Sequence, residues 1–120
     1  MKISEFIERV STTKDTVRYY EELEILRPSW KDHRRNYTEQ DVTDFEVIKE
    51  MKCLGLSMMD IQMIFKIKRE TACNSKELTS SILLKLNSSK EFFEAEVLDI
   101  QNKLQMIEEL IAQIKKLTNA

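Results

Sequence analysis

Seven apolar residues, Phe93, Val97, Ile100, Leu104, Ile107, Ile111 and Ile114, step along the chain by four, three, four, three, four and three. A heptad seam held this long means a coiled coil, and so one long helix with a narrow apolar stripe. The stretch 66–77 before it is polar and broken, so the helix is expected over 78–118. Roughly forty residues at a rise of about 1.5 Å make a rod near 60 Å long. Such a rod cannot bury its seam against one small domain, and a second copy of the chain is the economical partner. The other arrangement is a single helix folded back across its own domain.

The remaining residues read as nearly all-helical. One Gly and one Pro in 120 residues leave few places for extended turns. No apolar run approaches the ~18 residues that cross a membrane, and no signal-peptide pattern opens the chain, so the expected location is cytoplasmic. Cys53 and Cys73 are too isolated for a disulfide framework or a zinc cluster. A net charge of −2 excludes bulk attraction to a polyanion. The positive charge is local: Arg27, Lys31, Arg34 and Arg35 face one acid, Asp32. Any nucleic-acid reading therefore rests on geometry and patches.

Such a geometry is legible at the start of the chain. A first helix is expected from about Ser4 to Arg9, with Ile3, Phe6, Ile7 and Val10 as its apolar stripe. Ser11 and Thr12 break it, and Thr13 can cap a second helix through its hydroxyl. In that helix Val17, Tyr20 and Leu23 turn inward. Lys14, Asp15, Arg18, Tyr19 and Glu22 share another face. Arg forks onto guanine edges or phosphates and a Tyr hydroxyl donates to phosphate, so this face suits a duplex. Helix, tight turn and second helix make a helix-turn-helix.

The order Met-Lys-Ile-Ser-Glu-Phe, a Ser/Thr turn, then Thr-Val-Arg-Tyr-Tyr-Glu-Glu-Leu resembles the MerR family of bacterial transcription regulators. That family opens its winged helix-turn-helix with an Arg-Tyr-Tyr-Glu signature, which Arg18, Tyr19, Tyr20 and Glu21 match. Pro28 stops the second helix. Residues 28 to 37, basic and aromatic, then suit a small hairpin or wing, with Trp30 expected to pack it onto the helices. His33 is read as a loop histidine without a role. Arg35-Asn36-Tyr37-Thr38 reproduces the family's wing closure, with Thr38 and Asp41 as a capping box. The resemblance implies that Arg35 and Tyr37, with Arg34 beside them, contact phosphates. Lys14, Asp15 and Arg18 would then reach base edges and Tyr19 a phosphate.

Two more helices complete the head. One is expected from Gln40 to Leu54, with Val42, Phe45, Ile48 and Met51 inward and Gly55 ending it. Ser57 caps the next, with Asp60 at its third position and Met58, Ile61, Ile64 and Phe65 buried. Leu-Gly-Leu-Ser-x-x-Asp-Ile is again similar to the family's second helix pair. The family commonly has Gly where Ser11, Glu24 and His33 stand. Those turns are expected to be rearranged, with the recognition helix running on past Glu24.

The resemblance implies a fold that is all-α with a small β wing. A DNA-binding head (1–70), a connection (71–77) and an antiparallel coiled-coil dimerisation helix (78–118) follow in order. It implies a homodimer on a pseudo-palindromic promoter operator of double-stranded DNA, bending and untwisting a long spacer so that RNA polymerase can read both boxes. No cofactor and no metal are expected, since no Cys or His follows Cys73. The thiols read as incidental small residues, and no effector-binding domain is expected after the helix. No catalytic constellation appears, so an enzyme is not expected. An architectural or excision-type DNA-binding protein and a coiled-coil interaction module are the other readings.

Overall fold

Thr13 Oγ1 accepts the Thr16 amide, and from that cap the second helix starts; the same kind of local signal sets most boundaries in this chain. The structure is a computed structural model that describes residues 1–69 and 75–119. In order come α1 (Ile3–Val10), α2 (Lys14–Glu22), β1 (Ser29–Lys31), β2 (Arg34–Asn36), α3 (Glu39–Cys53), α4 (Met58–Arg69) and α5 (Ser75–Asn119). The chain divides into two compact units, Met1–Thr79 and Ser80–Ala120.

In the first unit α1, α2 and α3 enclose the core. Phe6 is fully buried and stacks on Tyr37, with ring centroids 4.6 Å apart, and meets Phe45 edge-on. Tyr20 tilts against Phe45, while Val10, Val17, Ile25, Leu26, Ile48, Ile61 and Phe65 fill the remaining space. Aromatic pairs of this kind add attraction beyond the area that they bury. Two carboxylates are buried among the described residues, and helix capping explains both. Asp41 accepts from the Thr38 amide and hydroxyl in a complete capping box, and Asp60 accepts from the Ser57 amide.

The turns depart from the sequence expectation. Ser11, Glu24, Asp32 and His33 all hold positive φ, between 52° and 61°. The turns are therefore kept rather than rearranged, and α2 stops at Glu22. At Glu24 the physical reason is visible. The Ile25 amide donates back to the Tyr20 carbonyl, and Ile25 and Leu26 are buried immediately beyond. Arg69 donates to the Glu24 and Ile25 carbonyls, and Gln62 to the Leu23 carbonyl, so α4 satisfies the peptide groups that the turn leaves open. A left-handed non-Gly residue costs ~1–2 kcal/mol, which these contacts offset.

At the wing, β1 and β2 pair antiparallel, with Ser29 opposite Asn36, Trp30 opposite Arg35 and Lys31 opposite Arg34. Asp32 and His33 form the two-residue tip. Both have positive φ, the conformation that two-residue hairpin loops require, and Asp and His adopt it more readily than most residues.

The helix α4 runs to Arg69, so the polar stretch expected to begin at 66 is helical as far as the description reaches. Lys66, Lys68 and Arg69 occupy its last turn, where cations face the helix C-terminus favourably. In the second unit every seam residue is exposed, from Phe93 at 42% to Ile100 at 64%. No helix among the described residues is long and apolar enough to cross a membrane.

Candidate nucleic-acid interface

The α2 cap fixes which face of that helix is free. Val17 and Tyr20 are buried, leaving Lys14, Asp15, Arg18, Tyr19 and Glu22 exposed on the other side. The wing adds a second basic element. Lys14 and Arg18 from α2, with Trp30, His33, Arg34 and Arg35 from the hairpin, line one open groove of about 370 Å³. Lys2, Ile3 and Ser4 at the start of α1 also line it, together with Tyr37. Residues about twenty apart in sequence thus converge into a concave basic surface. Asp15 and Tyr19 share the exposed face of α2 without lining that groove.

One carboxylate ties the helix to the wing. Glu21 on α2 is nearly covered, and its Oε2 lies 3.1 Å from the Arg35 Nε. Its Oε1 accepts the Tyr37 hydroxyl at 2.6 Å. Burial first, and then the Glu21 hydrogen bond and charge, push the Tyr37 phenol well above its usual range. The Arg35 guanidinium also lies 5.0 Å above the Trp30 ring, its register partner, so its plane is held from two sides.

This geometry corrects two expectations. Tyr37 does not offer its hydroxyl to a phosphate: the residue is 1% exposed and its donor is committed to Glu21. Trp30 does not pack the wing onto the helices but is 64% exposed, because a three-residue strand exposed along its whole length has no buried face to place it on. Sequence reasoning also missed Glu21 as a tether, Lys2 as a groove cation, and Trp30 and His33 as groove walls. Only the strand register, unknown beforehand, could have placed Trp30 beside Arg35. Cys53 is an exposed free thiol, and Cys73 lies outside the described residues.

A helix-turn-helix with a basic hairpin beside its second helix, and a concave cationic groove between them, defines a DNA-binding protein of the winged helix-turn-helix class. The family described as MerR HTH family regulatory protein matches residues 1–67. An uncharacterized HTH-type transcriptional regulator of Bacillus subtilis, YyaN, is 30% identical over 94% of this chain and 84% of its own length. A second from the same organism, YfmP, is 31% identical over 92% and 80%. A crystal structure of a MerR family transcriptional regulator from Listeria monocytogenes superposes with a TM-score of 0.75, at 19% identity, over 99% of this chain and 95% of that one. The chain belongs to the MerR family, as a DNA-binding transcription regulator and not an enzyme.

Proposed function

We propose that the chain acts as a homodimer that binds a pseudo-palindromic promoter operator and distorts the DNA between its half-sites. The observation that carries this is the groove in which Lys14 and Arg18 of α2 meet Arg34 and Arg35 of the wing. Lys14, Asp15 and Arg18 reach base edges in the major groove, and Tyr19, Arg34 and Arg35 hold flanking phosphates. Tyr37 contributes by positioning Arg35 through Glu21. The working division is a head of residues 1–70, a connection of 71–77 and a dimerisation helix of 78–118, although α5 is already helical from Ser75.

The exposed seam from Phe93 to Ile114 supports the dimer, since seven consecutive seam positions without cover are costly for a chain on its own. Two-fold symmetry in the protein then requires two inverted half-sites. Distortion of the spacer would act through RNA polymerase, in the cytoplasm. The test is a footprint of the purified protein on DNA upstream of its own gene, at two salt concentrations. A palindromic protected stretch that survives the higher salt is the expected result. Protection that spreads along the DNA and vanishes with salt would replace this reading with an architectural binder. No protection at either salt would favour a protein-interaction module.

A further inference from the structure

We propose that the α5 seam fits a second copy of this chain in one antiparallel register, locked by ion pairs between Glu94 of each copy and the partner's Lys115. This rests on the homodimer proposed above and specifies its geometry. The family resemblance already implies the antiparallel orientation, and the seam's own composition agrees with it. With steps of four then three, Phe93, Ile100, Ile107 and Ile114 fall at d positions and Val97, Leu104 and Ile111 at a. Parallel two-stranded coils want Leu at d beneath β-branched a residues. Ile at d, especially with Leu at a, belongs to parallel trimers and tetramers. A parallel two-stranded coil is thus disfavoured, and in the antiparallel one every layer joins an a to a d.

Charge and layer matching then choose the register. With the dyad between Gln105 and Met106, Val97 meets the partner's Ile114, Ile100 its Ile111 and Leu104 its Ile107, and symmetry repeats each layer. Six consecutive layers are apolar on both sides, with Phe93 against the partner's Thr118 beyond them at each end. The flanking e positions bring Glu94 opposite the partner's Lys115 at both ends, and the g positions bring Lys103 opposite the partner's Leu110. Sliding one heptad one way sets Glu94 against the partner's Glu108, juxtaposes the two Lys103 side chains and buries Lys90 against the partner's Ile114. Sliding one heptad the other way juxtaposes the two Glu108 side chains and leaves only four layers apolar on both sides. Like charges at flanking positions oppose both slips.

Spin labels on the full chain test this, in a Cys53→Ser, Cys73→Ser background carrying Ala95→Cys or Lys116→Cys. Both positions face outward and lie equally far from the proposed dyad. Each label should therefore sit about 32 Å along the axis from its copy, at a rise of about 1.5 Å per residue. Equal distances support the register. A heptad slip splits the offsets into about 21 Å and about 42 Å, and two short distances mean a parallel pair; either overturns it. A charge swap gives a second readout. Glu94→Lys or Lys115→Glu alone should raise the dimer dissociation constant about tenfold, and both together should return it to within about twofold. Glu94 also neighbours Lys90 within its own helix, at 3.8 Å, but a local effect there would not be rescued from position 115. Sedimentation of the unaltered chain separates the two levels. A dimer without rescue sinks the register alone, whereas a monomer or a tetramer sinks the proposed homodimer itself.

Discussion

Tyr37 donates its hydroxyl to Glu21 at 2.6 Å, joining the residue after the wing to the last turn of the recognition helix. The same carboxylate faces Arg35 at 3.1 Å, so one acid sets the distance between the two cationic elements of the groove. Without it the hairpin keeps the Phe6 stack on Tyr37 and the pairing of Met1 with Asn36 and Tyr37, neither of which seats Arg35. Removing the acceptor from a buried hydroxyl costs ~1–3 kcal/mol. Glu21→Ala is therefore expected to lower head stability by about that amount in urea denaturation, and to weaken DNA binding further by freeing Arg35. Unchanged stability would show that the tether is dispensable.

The Tyr37 phenol titrates above its unfolded value, so the folded state keeps a proton that the unfolded chain gives up. The stabilisation is complete below about pH 10, where an unfolded tyrosine titrates, and is lost as pH rises further. Tyr37→Phe should lower stability at neutral pH and flatten the fall above pH 10. Denaturation curves of both proteins at pH 7 and pH 10.5 check this through the difference, which cancels the other alkaline titrations.

Arg18 is exposed in the groove beside Lys14. Arg18→Ala should weaken operator binding by ~1–3 kcal/mol and leave the melting temperature alone. Gel-shift titration against operator and scrambled DNA measures it. Wild-type affinity in the variant would remove Arg18 from the base-reading set.

Glu24 holds φ 60° at the exit of α2. Glycine takes that conformation freely, but loses more chain entropy on folding. The first effect is the larger, so Glu24→Gly should stabilise the head by about 0.5 kcal/mol. Its exposed Arg27 pair, at 3.9 Å, is too weak to reverse the sign. Thermal denaturation of the two proteins decides it, and a lower melting temperature would mean that the turn is not strained.

Ile107→Lys places a charge in the middle of the seam. It should dissociate the homodimer and abolish operator binding, because two weak half-site contacts replace one strong pair. An unchanged sedimentation coefficient would remove the seam from the dimer contact.

The elements that local signals specify were legible in the sequence. Thr13, Thr38 with Asp41, and Ser57 with Asp60 are caps that act within three residues, and all three form. Inward positions such as Val17, Phe45, Ile48 and Ile61 follow from helical period alone. The misses share another cause. The burial of Tyr37, the role of Glu21 and the exposure of Trp30 depend on contacts across the fold, which periodicity does not report. The turn at Glu24 was misread because its support comes from Gln62 and Arg69, about forty residues away. The end of α4 was misread because Lys66 and Lys68 look like loop residues until the helix C-terminus is recognised as their setting.

The dual use of Glu21 bears on how such a head can be re-addressed. The recognition helix is not an interchangeable cassette. Transplanting residues 14–22 alone would carry away the acid that seats Arg35 and Tyr37 and leave the host hairpin without one of its anchors. Lys14, Asp15 and Arg18, which carry no such duty, are the positions open to drift or to an engineer seeking a new operator. Divergence of target preference in descendants of this chain should accumulate there, while Tyr20 and Glu21 stay fixed by the scaffold that they hold together.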